Sequence, residues 1–140
     1  MLFGKYYHIL DDKNRLMLPK KMKESLTGNL YLIRGYDGCL SIYKEVDFLE
    51  YVNKISSLSY TKQETRHVAR LGYSSVNELK LDKAGRIQLP QQIINEFSIG
   101  KEVVVVGVFN HLEIWDKKTW DEYENNNKDK FEQISEALPL

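Results

Sequence analysis

The sequence predicts an α+β protein made of two similar halves that pack together about a pseudo-two-fold axis. The first observation is a repeat: "LDDKNRLMLP" at residues 10–19 returns as "LDKAGRIQLP" at residues 81–90. After a one-residue insertion the similarity continues, because "LYLIRGYDGCLSIY" aligns with "EVVVVGVFNHLEIW". An internal repeat indicates two copies of one structural unit. Each half alone is too small to bury a stable core, so we expect the two halves to share one.

The elements of the first half follow from its residue pattern. Alternation in "RLMLP" predicts a short strand with one buried face. Pro19 suits the first turn of a short helix, "KKMKESL", and Gly28 suits its end. "LYLI" predicts a buried strand, the Asp-Gly pair of "YDG" a hairpin turn, and residues 45–58 a longer helix. We expect Cys39, next to this turn, to be a small structural residue.

The second half predicts the same order of elements. "RIQLP" and "VVVVGV" are the strands, Pro90 and Gly100 bound the short helix "QQIINEF", "FNH" is the turn, and residues 117–137 form the long helix. Between the halves, "TKQETRHVARL" predicts a further helix that Thr61 caps, with Glu64 three residues later. The chain is therefore expected to have three parts. They are a first module at residues 1–60, a connecting helix at residues 61–75, and a second module with a C-terminal helix at residues 76–140.

Composition restricts the classes of protein to which this chain can belong. Hydrophobic residues make up 42% and charged residues 29% of the chain, which is typical of a globular protein. No apolar run approaches the ~18–20 residues of a membrane helix, so no membrane partner is expected. The first residues lack a secretory h-region, and Cys39 has no second cysteine to pair with. Both features favour a cytoplasmic location.

The charge distribution is uneven although the net charge is zero. Zero net charge argues weakly against binding nucleic acid over the whole surface. Residues 1–40 nevertheless carry seven basic against four acidic side chains, and residues 113–136 carry eight acidic against four basic ones. A basic end and an acidic end can act as separate surfaces. Charge alone favours the simpler interpretation, in which both ends are solvated faces.

These repeated motifs resemble the MraZ family, whose members consist of two tandem AbrB-like modules. The resemblance extends over residues 4–123 and depends on "GKYYHILDDKNRLMLP", "RGYDGCLSIY", "LDKAGRIQLP" and "VVGVFNHLEIWDKKTWDEY". It implies a swapped-hairpin β-barrel with flanking helices. It also implies a bacterial transcription regulator, with no enzymatic activity or cofactor, that assembles into a homo-oligomeric ring. The implied partner is double-stranded DNA, at repeated boxes near the promoter of the division and cell-wall gene cluster, and the implied location is cytoplasmic and nucleoid-associated.

The D-x-x-x-R element of the family corresponds to Asp11 with Arg15 and to Asp82 with Arg86. Arginine presents a planar fork of donors that fits phosphate and also O6 and N7 of guanine. A strand or turn carrying it would enter a DNA groove as a β-ribbon or loop. The alternative is that both pairs are intrachain ion pairs that only fix the turn. The residues alone leave these interpretations equal, and the resemblance favours DNA.

Asn14 stands where the family usually has glycine, whereas Gly85 keeps the glycine. Asparagine tolerates positive φ better than most residues, so we expect the turn to form in both halves.

Lysines near the repeats are candidates for phosphate contacts, which position a protein on DNA without specifying sequence. They are Lys13, Lys20, Lys21 and Lys83. Lys23 is expected to serve solubility only, which is also the alternative for the others. The second half has Ala84, Gln91 and Gln92 where the first half has lysines. We therefore expect the first half to contribute more of the binding energy, and Arg86 to matter less than Arg15.

Other interpretations receive less support from the residues. The three histidines and the single cysteine show no metal-ligand spacing. A hydrolase using His8, Asp11 and Asp12 is disfavoured because consecutive strand residues point to opposite faces. The aromatic residues at 115, 120 and 123 could stack on bases, but their spacing after a buried strand favours core packing. A ring-forming scaffold that binds proteins through the acidic helix at 117–137 and the tail "ISEALPL" remains open.

Overall fold

The computed structural model describes all 140 residues, which form a mixed α+β fold. The first half contains β1 (Lys5–Ile9), β2 (Arg15–Met17), α1 (Lys20–Ser25), β3 (Leu30–Arg34), β4 (Leu40–Lys44) and α2 (Glu45–Ser56). Helix α3 (Gln63–Tyr73) connects it to the second half. That half contains β5 (Asn77–Leu79), β6 (Arg86–Gln88), α4 (Gln91–Glu96), β7 (Glu102–Gly107), β8 (Leu112–Asp116), α5 (Lys117–Asn127), a 3-10 turn (Lys128–Lys130) and α6 (Phe131–Glu136). Every helix is too short or too polar to cross a bilayer.

The two halves exchange strands. One antiparallel sheet has six strands in the order β1-β7-β8-β4-β3-β5, so the first strand of each half pairs with the hairpin of the other half. At its centre β4 pairs with β8, and Ser41 lies opposite Glu113. A separate two-stranded ribbon joins β2 to β6, with Leu16 opposite Ile87. The β4–β8 and β2–β6 pairings each join residues that the repeat makes equivalent. The sheet therefore has the same order of equivalent strands when it is read from β1 or from β5.

The larger sheet has two free edges, β1 and β5, and no strand pairing closes it. The expected closed barrel is therefore not formed by hydrogen-bonded strands. The main core lies instead between one face of this sheet and a layer made of the β2–β6 ribbon with α1 and α4. Leu16 and Ile87 of the ribbon pack with Met22 of α1, Leu32 of β3 and Val105 of β7 in one buried cluster. The halves thus share a core, as their small size requires.

The opposite face of the sheet is covered by the longer helices. Phe48 of α2 packs on Ile33 and Tyr43, and its ring stacks on Tyr31 with ring centroids 4.6 Å apart. On the other half, Trp120 of α5 packs against Trp115 of β8, which is buried with Val104 and Cys39. The prediction that these aromatic residues are core packing elements is confirmed for Trp115, and Cys39 is a buried structural residue as expected.

The structure corrects several element boundaries. Strands β1 and β5 were not predicted, because neither shows a strict alternation of apolar and polar residues. The helix expected over residues 117–137 is divided into α5, the 3-10 turn and α6, where the run "ENNNKDK" offers few good helix formers. Thr61 does not cap α3, because the helix begins at Gln63 and Lys62 occupies the N-cap position. Helix α2 ends at Ser56, two residues early.

The prolines and glycines bound the short helices in a slightly different way from that predicted. Pro19 and Pro90 have ψ of 147° and 137°, so they lie at the N-cap position and not within the first turn. Gly28 follows α1 with φ of 80°, as a helix stop should. After α4 the left-handed residue is Ser98, with φ of 53°, and Gly100 does not have positive φ. The stop signal in the second half therefore lies two residues earlier than predicted.

The two hairpin turns share one left-handed position, and the first turn has a second left-handed residue beside it. Asp37 and Gly38 have φ of 62° and 90°, which confirms the Asp-Gly turn. Phe109 takes the place of Asp37 in the second hairpin with φ of 64°, a conformation that strains a bulky side chain. The N-terminal segment holds it there. Leu2 donates its N–H to the carbonyl of Phe109 at 2.9 Å, and the N–H of Phe109 donates to the carbonyl of Leu2 at 2.8 Å.

Two glycine-to-alanine substitutions are expected to have opposite effects on stability. Gly107 packs against the N-terminal residues Leu2 and Phe3, whereas Gly72 lies in α3 with space around it. A Cβ at Gly107 would lie 2.7 Å from Cα of Phe3, so the backbone of the segment must move. In α3, a Cβ at Gly72 would lie 3.8 Å from Cδ1 of Ile33, an ordinary contact. We expect Gly107→Ala to lower the free energy of unfolding by about 1–3 kcal/mol. We expect Gly72→Ala to raise it by up to about 1 kcal/mol, because alanine favours the helix. Urea unfolding measures both, and equal shifts in the same direction would contradict the assignment.

Candidate nucleic-acid interface

The first D-x-x-x-R element forms a tight turn around one carboxylate. Oδ1 of Asp11 accepts hydrogen bonds from the backbone N–H groups of Lys13 at 2.9 Å and Arg15 at 2.8 Å. Oδ2 accepts from Nε of Arg15 at 2.6 Å. Asn14 adopts φ of 59°, so asparagine does take the left-handed conformation that the turn needs. The carboxylate therefore fixes the turn and the guanidinium together.

The second element repeats this geometry. Oδ1 of Asp82 accepts from the N–H groups of Ala84 and Arg86, both at 2.9 Å, and Oδ2 accepts from Nε of Arg86 at 2.8 Å. Gly85 has φ of 82° at the position of Asn14. The alternative that these pairs are intrachain ion pairs is thus correct as geometry. This geometry does not exclude a second role for the arginines. Within each guanidinium the aspartate bonds only Nε, so the two terminal nitrogens have no hydrogen-bond partner.

Pairing of β2 with β6 brings the two turns side by side. Leu16 and Ile87 point into the core and are fully buried, so the residues on either side of them face outward. Those outward residues are Arg15, Met17, Arg86 and Gln88. The terminal nitrogen Nη1 of Arg86 lies 4.0 Å from Oδ2 of Asp11, which shows how close the two elements are. The arginine side chains are 28% and 31% exposed and so can reach a ligand.

Both carboxylates are held in the charged form. Partial removal from water opposes ionisation of Asp11, but the hydrogen bonds from Arg15 and Lys13 outweigh it and lower the pKa of Asp11 to about 2. For Asp82 the backbone N–H of Arg86 has the largest effect, and the pKa is also lowered. Each arginine is therefore held by a carboxylate that stays ionised at neutral pH.

The short helices lie beside the turns of the opposite half. Leu18, which precedes α1, donates its N–H to the carbonyl of Gly85 at 3.4 Å, and a Cβ at Gly85 would lie 3.0 Å from Nζ of Lys23. On the other side, Nδ2 of Asn14 donates to Oε1 of Gln91 on α4 at 2.8 Å. Helix α1, which is rich in lysine, thus lies beside the second D-x-x-x-R element. Helix α4, which is rich in asparagine and glutamine, lies beside the first.

This exchange removes most of the reason for ranking the two halves. The expectation that the first half contributes more binding energy rested on Lys13, Lys20 and Lys21, of which Lys13 does lie in the turn of Arg15. The helix of Lys20 and Lys21 lies next to the turn that contains Arg86 instead, because the halves exchange partners around the ribbon. Lys20 and Lys21 are exposed, and Lys21 lines a small recess with Met1–Phe3. Lys13 and Lys83 are exposed within the turns themselves.

Two lysines near the turns were not among the predicted site residues. Lys23, which we expected to serve solubility only, lies over Gly85, with its Nζ 3.9 Å from Sδ of Met17. Lys101 donates from Nζ to the carbonyl of Asp11 at 3.2 Å across the halves. No sequence signal identifies either, because their approach depends on which half packs against which turn.

The residues of the hydrolase interpretation do not converge. Asp11 and Asp12 lie in the turn before β2 and not on a strand, so strand alternation is not what separates them. The carboxylate of Asp11 is directed into the turn, whereas Asp12 is exposed and makes no side-chain hydrogen bond. His8 is half-buried on β1, its Nε2 has no hydrogen-bond partner, and burial lowers its pKa. No cluster of histidine, cysteine, aspartate and glutamate is arranged to hold a metal ion.

The depressed pKa of Asp11 predicts a pH-dependent contribution to stability. Because its pKa is about 2 when folded and ordinarily 3.8, the contribution is complete above about pH 4 and is lost as the pH falls toward 2. We expect Asp11→Asn to melt below the unsubstituted protein at neutral pH and the gap to narrow over that range. Asp12→Asn is the matched control and should melt with the unsubstituted protein at neutral pH, because the Asp12 side chain is exposed and makes no hydrogen bond. A gap for Asp11→Asn that stays constant down to pH 2 would contradict the assignment.

Comparison with known proteins shows the family to which this chain belongs. The family model described as "MraZ protein, putative antitoxin-like" matches residues 1–71 and again residues 73–139. A protein of Clostridium acetobutylicum named "Transcriptional regulator MraZ" is 40% identical over 92% of this chain and 91% of its own length. Proteins with the same name from Mesoplasma florum and Finegoldia magna are 37% and 32% identical over 99% of this chain, and over 95% and 96% of their own lengths. The chain belongs to the MraZ family of transcriptional regulators.

Proposed function

We propose that this chain is a sequence-specific regulator that binds double-stranded DNA through the outward face of the β2–β6 ribbon. Its target would be repeated boxes near the promoter of the division and cell-wall gene cluster. The observation that carries the proposal is the pair of carboxylate-held arginines, Arg15 and Arg86, on one face of a two-stranded ribbon. A β-ribbon is narrow enough to enter the major groove.

The arginines are suited to read bases because their orientation is fixed in advance. Asp11 and Asp82 each bind Nε, so the guanidinium plane is held while the terminal nitrogens remain available. Those nitrogens can donate the pair of bonds that O6 and N7 of guanine accept. A side chain that is already ordered loses less conformational entropy on binding. We therefore assign base reading to Arg15 and Arg86, and a positioning role to Asp11, Asp82, Asn14 and Gly85.

The surrounding lysines supply contacts to phosphate. Lys13 and Lys83 extend from the two turns, and Lys20 and Lys21 lie on α1 next to the second turn. We add Lys23 because of its position over Gly85. These contacts strengthen binding to any sequence and make it sensitive to salt. Because α1 and α4 are exchanged between the halves, we infer that Arg15 and Arg86 contribute comparably.

A neutral chain can bind DNA if several copies act together, and we propose that the protein works as a homo-oligomeric ring. Linked weak sites gain affinity without new contacts. Large apolar side chains are exposed on several surfaces, among them Ile9 at 74%, Phe109 at 70% and Phe131 at 75%, which supports contacts between copies. The free edges of β1 and β5 offer further contact surfaces.

The internal organisation and location belong to the same proposal. We infer that residues 1–60 and 76–140 are tandem AbrB-like modules with exchanged hairpins, joined through residues 61–75. The equivalent pairings of Leu16 with Ile87 and of Ser41 with Glu113 support this inference. A protein with this role would be found in the cytoplasm, associated with the nucleoid.

A protein-binding scaffold is the second candidate function, and one observation favours it. The groove between α5 and α6 has a volume of about 400 Å³ and is lined by apolar residues that include Phe131, Ile134 and Leu138. The acidic side chain of Glu124 also lines this groove. A scaffold would not require the ribbon arginines, so the following experiment separates the two functions.

Substitution of Arg15 tests the reading of DNA. We expect Arg15→Ala to weaken binding to the cognate box by roughly 1–3 kcal/mol for each contacting protomer, with folding preserved. The melting temperature should change little, because a partly exposed ion pair is worth only about 0–1 kcal/mol. Arg15→Lys should keep salt-sensitive binding and lose the preference for the cognate box, since lysine lacks the fork. Arg86→Ala should have an effect comparable to that of Arg15→Ala.

The measurement is a titration against cognate and scrambled duplexes at several salt concentrations, with thermal melting alongside. Lys118→Ala is the matched control, because it removes one exposed positive charge from α5 that makes no hydrogen bond or ion pair. A destabilised Arg15→Ala variant that still prefers the cognate box would reject the role of Arg15.

The ring predicts a mass in solution well above that of one chain. Light scattering at moderate salt should give several times 16.4 kDa, because the exposed apolar side chains and free strand edges are expected to be covered by neighbouring copies. A monomeric protein at micromolar concentration would exclude the ring.

A further inference from the structure

The outward face of the β2–β6 ribbon is not symmetric. The repeat relates Arg15 to Arg86 and Met17 to Gln88, and the register places Arg15 opposite Gln88 and Met17 opposite Arg86. The two arginines are chemically identical, and each is held at Nε by the aspartate four residues before it. The other two positions carry an apolar side chain in one half and an amide in the other. The ribbon thus presents two arginines on one face, one opposite a glutamine and the other opposite a methionine.

Met17 lies outside the buried core. Its neighbours Leu16 and Leu18 are buried in the core, whereas Met17 is 42% exposed among cationic side chains. Nζ of Lys23 lies 3.9 Å from its Sδ, and Arg86 lies opposite it on β6. An exposed apolar side chain on an otherwise basic face suits an apolar patch on a polyanion, and in the major groove of DNA that patch is the thymine methyl group.

Gln88 is arranged differently. Its Nε2 donates one hydrogen bond to the carbonyl of Lys13 at 3.0 Å, which fixes the amide above the first turn. A glutamine amide has a second N–H on Nε2 and an acceptor at Oε1, and both remain without a partner. One free donor next to one free acceptor matches N7 and N6–H of adenine.

We propose that Met17 and Gln88 are specificity-determining residues that give the ribbon a direction on DNA. Gln88 would contact adenine on one side of the bases read by the arginines, and Met17 a thymine methyl group on the other side. Reversal of the duplex would place the amide against the methyl group and the thioether against the adenine edge, leaving polar base atoms without partners. This inference rests on the proposed function and identifies which positions make the bound box asymmetric.

The test exchanges the two side chains. Selection from a duplex library with a randomised core is carried out with the unsubstituted protein and with Met17→Gln, Gln88→Met and the double exchange Met17→Gln/Gln88→Met. Both sites face outward, so all four proteins should fold, and thermal melting verifies this. Leu49→Gln is the control, because it makes the same kind of change at an exposed residue of α2.

We expect the unsubstituted protein to enrich a box whose flanking base pairs differ on the two sides. The double exchange should enrich the same duplex, because its face is the original one turned about the pseudo-two-fold axis, whereas each single variant should enrich a more symmetric box. The unsubstituted protein should bind its asymmetric box about tenfold or more tightly than either symmetric box, and each single variant should prefer its own symmetric box. Leu49→Gln should select the original box.

Two results would overturn the inference and can be told apart. If both single variants select the original box while Arg15→Ala abolishes enrichment, Met17 and Gln88 do not set direction and the proposed function stands. If the unsubstituted protein enriches no sequence, the proposed function fails and the inference fails with it.

Discussion

The contact between Leu16 and Ile87 is the constraint on which the rest of the structure depends. These residues lie opposite each other on β2 and β6, and both are fully buried. Strands of three residues are not stable alone, so the ribbon exists only because its inner face is part of the main core. Burial of Leu16 and Ile87 forces their neighbours outward, and this is how two arginines from distant parts of the chain reach one surface.

Charge is organised around that surface at short range. The net charge of zero says little about the charge that the ribbon presents to a ligand. The carboxylates of Asp11 and Asp82 are already bonded to the backbone of their turns and to their arginines. Their acceptors are satisfied by backbone N–H groups and by Nε, so they fix the cations without covering the terminal nitrogens. The lysines of the turns and of α1 then surround an ordered centre. This arrangement supports recognition in which a few directed contacts matter more than total charge.

Each half supplies strands and a short helix that support the D-x-x-x-R turn of the other half. Strand β1 pairs with β7, β5 pairs with β3, Gln91 of α4 contacts the first turn, and α1 lies beside the second. Neither half could present its turn alone, because the elements that support the turn come from the other half. The N-terminal segment extends the same principle, since Leu2 holds Phe109 in a strained conformation at the tip of the opposite hairpin.

The sequence by itself determined the repeat, the α+β class, the order of most elements and the residues of both D-x-x-x-R turns, because these depend on local patterns of polarity, turn chemistry and spacing. It also identified Asn14 as a residue able to replace glycine. It did not determine the open edges of the sheet, the strands β1 and β5, or the positions of Lys23 and Lys101. Those features depend on which half packs against which, and equivalent halves have equivalent patterns, so only the tertiary structure could decide that α1 lies beside Gly85 and α4 beside Asn14.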